Sequence, residues 1–440
     1  MSLQVGIATH DITPTKPMFL VGYPHVPRTS TGTHDPLGAT AFYLADGGRE
    51  LMTIALDLCY ICHEDVRAWR AEIERRTGIP SGHILISPTH THSGPNTDAI
   101  LAWRADLIVP PPDPEYMKFL GQHIIETAAA AKQNAQPARL AITTARAEGV
   151  GCNRLDPKGP HDPEVGILCA RRRDNDQVFA LLLIYSMHPT VLHEDSTLFT
   201  GDFIAYTRQH LQEALPGVQI AYHNGTSGNL SPRHHVKGQT FAEAERLGRK
   251  LGEQVLAVVR AVRGAEFRDS VPLAATADYI APPTRRYPPV AETEANLKRV
   301  QAEYERLKRD GAPKPEVRTA ECALFGAQFM DRLAREEASG EADKVRQRYR
   351  QVEVQALRIG DAFIVALPGE HFVEYGLRIK KEAPGRAFVI TMANGDMQGY
   401  IVTPEAEAAS TYEAQFRFFP SAAGDLMAAT AVMVMRGVAG

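Results

Sequence analysis

Cysteine is scarce, with five residues in 440, at positions 59, 62, 152, 169 and 322. They are too few and too scattered for a disulfide framework, which points to a reducing compartment. Neither sign of charge dominates: 48 basic against 52 acidic residues leave a net of −4. With no block of like charge, a nucleic-acid surface is excluded as the organising feature. No apolar run approaches the roughly 18 residues of a membrane-spanning helix. The opening MSLQVGIATHDITP has neither a basic region nor an apolar stretch, so no secretory signal is expected. These absences lead to the expectation of a soluble, cytoplasmic protein. What is present is ordinary: 44% apolar and 23% charged residues, in a chain long enough to bury a core without staples.

Periodicity reads as mixed strands and helices without internal repeats. Residues 50–58 (ELMTIALDL) form a buried strand, succeeded by a charged helix over about 63–76 and a short strand at 84–86. Together they make one βαβ unit. A helix is expected over 116–134, and the apolar arms flanking Asp174-Asn175-Asp176 predict a β-hairpin. Asp202 caps a helix running to about Leu215, before a strand at 218–222 and an amphipathic helix over 241–262. Composition shifts once, over about 283–350. There Leu297, Val300, Tyr304 and Leu307 repeat at helical spacing, as do Cys322, Phe325, Phe329 and Leu333, with Gly311-Ala312-Pro313 between the two sets. A charged helical hairpin lying on the surface is predicted. Strands are expected on either side of a Gly360-Asp361 turn, and a helix runs from Pro420. The fold class expected is α/β, mixed β-sheets flanked by helices, in one domain over 1–440 with a helical insertion at about 283–350.

The chemistry gathers at the exit of each apolar strand. ILIS runs into Thr89-His90-Thr91-His92-Ser93-Gly94-Pro95, LLLIYSM into His188, and VQIAY into His223 and then Ser227 to Pro232. FIVALPG runs into Glu370, and AFVITM into Asn394-Gly395-Asp396 and Tyr400. Functional groups in open α/β sheets collect at such exits, so these five can converge on one cleft. In an extended segment His90 and His92 face the same side. Alone, the pair reads most simply as hydrogen-bonded loop histidines among 16 in the chain. With His188 and Glu370 leaving neighbouring strands, the group suits a zinc site of imidazole and carboxylate with an open position.

At these residues the sequence resembles the neutral/alkaline (non-lysosomal) ceramidase family, zinc-dependent amidases that cleave N-acyl bonds. The resemblance is to the N-terminal catalytic domain. It is carried in order by GIATHDITP (6–14), THTHSGP (89–95), Asn153-Arg154, His188 with Gly201-Asp202, SGNLSP (227–232), LPGE (367–370) and YIVTPEAEAASTYE (400–413). It implies that His90, His188, Glu370 and Tyr400 bind Zn2+, and that His92, Arg154, Ser231 and Tyr412 surround the scissile amide. Arg154 and Tyr412 could then donate to a developing oxyanion, and His92 could pass a proton to the leaving amine. Ser231 matches the family's proposed nucleophile; its hydroxyl either attacks or positions substrate, and the sequence leaves both open. Without the resemblance, Arg154 reads as a salt-bridge partner, Tyr412 as a core anchor and Ser231 as a turn hydroxyl. Asp11 and Asp57 could orient metal-bound histidines as supporting carboxylates, with roles in a turn and at a strand end standing as equal alternatives.

The expectation is an amidohydrolase acting on a small-molecule amide or ester, lipid-like substrates included. Lactones, esters and cyclic amides are open alternatives because the same attack serves each carbonyl. Family members acting on sphingolipids carry an added C-terminal β-sandwich domain, and this chain is read as a short form lacking it. Two readings come from other classes. Cys59-Tyr60-Ile61-Cys62-His63 spells the attachment pattern of a c-type haem, which does not suit a protein expected to stay in the cytoplasm. A binding protein of the same fold is the other, and it is disfavoured because every mapped position holds a chemically competent residue. Gly225-Thr226-Ser227-Gly228 falls one position short of a serine-hydrolase elbow.

Overall fold

The structure is a computed structural model describing residues 2–23, 26–99 and 108–439. Eight strands build the larger sheet: β1 (Gln4–Asp11), β2 (Gly38–Asp46), β3 (Arg49–Leu56), β4 (Ile84–Pro88), β5 (Gln136–Arg146), β6 (Glu164–Arg172), β7 (Val178–Tyr185) and β8 (Gln219–Asn224). Their order is β8-β7-β6-β5-β1-β2-β3-β4. Only the end pairs, β3–β4 and β7–β8, are parallel. A parallel pair needs a crossover, and α1 (His63–Thr77) and α3 (Phe203–Ala214) lie in those two connections. The expected βαβ unit is therefore β3-α1-β4, and the hairpin at 174–176 joins β6 to β7. Asp202 caps α3 by accepting from the Phe203 amide at 2.6 Å. A second sheet has the order β9 (Leu273–Ile280), β10 (Val352–Ile359), β11 (Ala362–Ala366), β12 (Arg386–Ile390), with β11–β12 parallel.

Strand β7 shows why this is a layered α/β fold. Its run VFALLLIY is apolar throughout, the mark of a strand covered on both faces. Leu181, Leu183 and Tyr185 share a core with α3 and with α4 (Phe241–Ala261). The alternate residues Leu182 and Ile184 pack with Leu357, Ile364 and Phe388 of the second sheet. Helices α1 and α2 (Pro114–Gln133) cover the β1–β4 half. The larger sheet also curls until its edges meet. His223 on β8 joins Ser87 Oγ of β4 at 2.7 Å through Nδ1 and Thr53 Oγ1 of β3 at 3.1 Å through Nε2. That contact sets the exits of β4 and β8 side by side.

Residues 290–348 form α5 (Val290–Arg309), α6 (Lys314–Ala338) and the additional short helix α7 (Glu341–Arg348). Helix α5 is largely exposed, but α6 departs from the expected surface position. Leu324, Phe329, Leu333 and Ala334 are buried, and the Phe329 ring lies 4.4 Å from that of Phe416. The apolar spacing in α6 marks this buried face. The outer side of the second sheet is completed by α8 (Val373–Glu382), α9 (Pro404–Ala408), α10 (Tyr412–Gln415) and α11 (Ser421–Ala439). Helix α11 corrects one reading of the sequence: by length and composition it is apolar enough to cross a membrane. Small residues and two isolated charges hide this in a search for an unbroken apolar run. Met427, Ala431 and Met435 on its inner face are fully buried against the second sheet.

Candidate metal centre

Three of the strand exits deliver their side chains to one buried point. His90 lies just beyond β4, His188 just beyond β7, and Glu370 sits in a short strand, Glu370–His371, soon after β11. The two imidazole Nε2 atoms are 3.1 Å apart. Glu370 Oε2 lies 3.4 Å from His90 Nε2 and 3.3 Å from His188 Nε2, yet it has no hydrogen-bond partner among the described residues. Backbone carbonyls fix the tautomers. His90 Nδ1 donates to Cys59 O at 2.9 Å, and His188 Nδ1 to Ser227 O at 2.6 Å. With Nδ1 protonated, each neutral ring presents a lone pair at Nε2. Two lone pairs and a carboxylate oxygen thus face one another out of water, which is costly unless a cation lies among them. Separations of 3.1–3.4 Å match the roughly 3.3 Å between donor atoms of a tetrahedral site with bonds of about 2.0–2.1 Å. The donor set fits zinc.

The electrostatics describe the same frustration. Burial pushes Glu370 up, but the charge it meets on His90 holds it well below the carboxylate range. Burial alone would lower His90, yet Cys59 and Glu370 raise it well above the usual imidazole value. Without a metal ion, one proton is what would hold this group together. His188 is pushed down to about 4, chiefly by burial. Burial, with His90 and His188 beside it, also holds His92 well below its usual value.

His92 Nε2 is 3.3 Å from His90 Nε2, so a third imidazole approaches the same point. The extended geometry expected for His90 and His92 is not what brings them together. Strand β4 ends at Pro88, and His90 takes a positive φ of 68°, so a turn converges the rings. Such a φ is uncommon outside glycine. It is held here by the His90 amide donating to Leu58 O at 2.9 Å.

Tyr400 begins the strand Tyr400–Ile401, which pairs in parallel with Glu370–His371 so that Tyr400 stands opposite Glu370. Burial first, then the Glu370 charge, pushes its phenol well above the ordinary value. Ahead of it the chain turns through positive φ at Asn394 and Gly395. The Arg154 guanidinium lies 5.3 Å from the Tyr400 ring centroid and donates from Nε to Glu413 Oε1 at 2.8 Å. Arg154 is therefore a salt-bridge partner, but its Nη2 remains buried without a hydrogen bond among the described residues. Ser231 pairs with Cys152 across a two-residue ladder, and its Oγ accepts from the Arg233 amide. Tyr412 opens α10, its ring 4.5 Å from Phe416. His92, Arg154, Ser231, Tyr400 and Tyr412 all line one cleft of about 310 Å³. A larger cavity of about 440 Å³, beside Asp57 and Arg208, holds none of the eight predicted site residues.

Asp11 and Asp57 do not orient the histidines, because carbonyls already occupy both Nδ1 positions. Asp11 accepts from the Thr13 amide in a turn. Asp57 binds Arg208 through both oxygens, with Thr89 Oγ1 donating to it at 3.2 Å, and so steadies the residue before His90. Several contributors carry no signal in the sequence. Tyr60 donates to Glu370 Oε1 at 2.9 Å. Buried Arg28 donates to the carbonyls of Val21, His92, His193 and Ser196. Cys59 Sγ lies 3.6 Å from His90 Nδ1, and Cys62 donates to Glu64. The two thiols of the haem-like run thus meet different surroundings. Only Glu413 has a signal, its place beside Tyr412.

Comparison with known proteins bears on the family and the fold. The family described as neutral/alkaline non-lysosomal ceramidase, N-terminal, matches residues 3–233. The fold resembles the crystal structure of neutral ceramidase from Pseudomonas aeruginosa, with a TM-score of 0.74 and 19% identity over 99% of this chain and 75% of that one. It also resembles a ceramidase complexed with C2, with a TM-score of 0.75 and 18% identity over the same shares. No curated protein matches.

Proposed function

The chain belongs to the neutral/alkaline non-lysosomal ceramidase family, and from that premise we propose that it is a zinc-dependent hydrolase cleaving an amide (N-acyl) bond. Ceramide, whose amide the family name points to, is one candidate substrate. The observation carrying the reading is the convergence of His90 Nε2, His188 Nε2 and Glu370 Oε2, with both Nδ1 atoms committed to carbonyls. In this reading His90, His188, Glu370 and Tyr400 hold the ion. When bound, zinc acidifies water toward a pKa of about 7 and polarises a carbonyl.

The chain's own groups supply the rest. Arg154 Nη2, buried and without a partner among the described residues, is available to donate to charge developing on the carbonyl oxygen. Glu413 holds that guanidinium in place through Nε. Burial pushes the Tyr412 phenol up, so it stays protonated and can donate beside Arg154. His92 Nδ1 is buried and unbonded among the described residues, which leaves an imidazole to carry a proton to the leaving nitrogen. Ser231 is assigned to position substrate, since the contact its hydroxyl makes is with the backbone amide of Arg233. The scarcity and scatter of the five cysteines support action in a reducing, cytoplasmic setting.

The test is hydrolysis of N-acyl amides, esters and lactones by the purified chain, before and after chelation and with zinc restored. Amide cleavage lost on chelation and recovered with about one zinc per chain is expected. Cleavage indifferent to chelation, or absent from the zinc-replete protein, would overturn the proposal.

A further inference from the structure

The cleft beside the metal centre has a wall that no catalytic step requires. Glu321, Cys322 and Phe325 of α6 line it, on one face of the helix at i, i+1 and i+4. That face is fixed from both sides. Tyr304 of α5 donates to Glu321 Oε1 at 3.2 Å. One turn further along, Phe329 packs on Phe416, against which Tyr412 also packs. The helix that carries the wall is thus tied to the helix that carries Tyr412. Glu194 and Arg233 also line the cleft.

Two features of this lining bear on what can enter. Its volume of about 310 Å³ lies at the low end of the roughly 300–1,000 Å³ of sites for drug-sized ligands. Ionisable side chains crowd the lining, Arg154, Glu194, Arg233, Glu321 and Glu413 among them, and covering such a polar surface with two alkyl chains would displace its water without replacing the hydrogen bonds. A carboxylate only accepts hydrogen bonds, so Glu321 selects a donor.

We propose that α6 is the specificity wall of the cleft. Phe325 limits the length of the acyl chain, and Glu321 receives a hydroxyl or amino group on the far side of the scissile bond. The substrate class is a compact N-acyl amide with one short chain and a polar amine portion, rather than a two-chain lipid. The inference rests on the hydrolase reading for the identity of the scissile bond, but its test does not need turnover.

Ketone isosteres, with CH2 in place of the amide N–H, report affinity without cleavage. Calorimetry on the zinc-loaded full chain compares two-carbon and sixteen-carbon acyl isosteres of one amino alcohol, and a deoxy form of the shorter one. Wild type should bind the short isostere at least about 10-fold more tightly than the long one. Phe325→Ala should shrink that ratio by about 10-fold, within the range one pocket contact controls. Glu321→Gln should weaken the hydroxylated short isostere about 10-fold and leave the deoxy form unchanged. Zinc content should be the same in all three proteins. Equal binding of long and short isosteres by wild type, variants that shift every ligand alike, or no binding at all would overturn the wall. The expected binding pattern without hydrolysis of any matching amide would sustain the wall and sink the hydrolase reading instead.

Discussion

Substitution of His188 separates the two jobs its ring performs. Nε2 faces the proposed metal position, while Nδ1–H donates to Ser227 O at 2.6 Å and lies 3.1 Å from Leu230 O. The side chain is fully buried. His188→Ala removes both functions and leaves buried carbonyls without their donor, at a cost of about 1–3 kcal/mol beyond the loss of packing. His188→Asn restores an N–H near the Nδ1 position but offers nothing where Nε2 stood. In the metal-free state the asparagine variant should therefore be more stable than the alanine variant by about 1–3 kcal/mol. Toward metal the two should be alike. Wild type at zinc about 1,000-fold above its Kd gains about 4 kcal/mol from binding the folded state alone, and both variants should gain less than about 1 kcal/mol.

Zinc per chain by elemental analysis, with urea unfolding at matched zinc and chelator concentrations, reads both quantities. A His188→Asn protein holding one zinc per chain, or showing the wild-type gain, would refute the placement of Nε2. Equal metal-free stability of the two variants would refute the role given to Nδ1.

His223 gives a pH test. Burial pushes its pKa down to about 3 from an ordinary 6.5, so the unfolded chain takes up a proton that the folded chain refuses. Its contribution is complete above about pH 6.5 and is lost as pH falls toward about 3, by up to about 5 kcal/mol. The stability difference between wild type and the non-titrating His223→Gln should decline over that window, and a flat difference would contradict the buried neutral ring. Tyr60→Phe removes the O–H on Glu370 Oε1 and should weaken zinc binding about 10–100-fold, measured by competition with a chromogenic chelator; unchanged affinity would remove Tyr60 from the site. Gly228→Ala sets a methyl 2.8 Å from the carbonyl oxygens of Glu370 and His371. It should cost about 1–3 kcal/mol and lower zinc content as well, whereas an unaffected variant would mean the strand bearing Glu370 yields freely.

The sequence exposes this site where local rules suffice, and conceals it where distant segments decide. Strands β3, β4, β7, β8 and β11 are legible because burial on two faces leaves dense apolar runs, and the polar residue after each run is then a marked position. His90, His188 and Glu370 can be found in that way. The half-exposed spacing of α6 identifies a helix, but not that its apolar face turns inward beside the cleft, since one face looks the same whichever neighbour covers it. The curl that sets β4 against β8 depends on His223 reaching Ser87 and Thr53, residues with no mark of their own. Tyr60 and Arg28 act through contacts across hundreds or tens of residues, so no short window contains both partners. His90 illustrates the boundary best. Extended alternation places it on the same side as His92, the right neighbour for a wrong reason. The rings meet because the chain turns through a left-handed residue. That conformation is one histidine adopts only when its surroundings hold it, and here those surroundings are Leu58 O on its amide and Cys59 O on its ring. If His90 holds the metal as proposed, a ligand kept in a disfavoured conformation by two carbonyls of one loop makes that loop part of the centre, and the loop leads into the same run whose cysteine spacing imitates a haem attachment site.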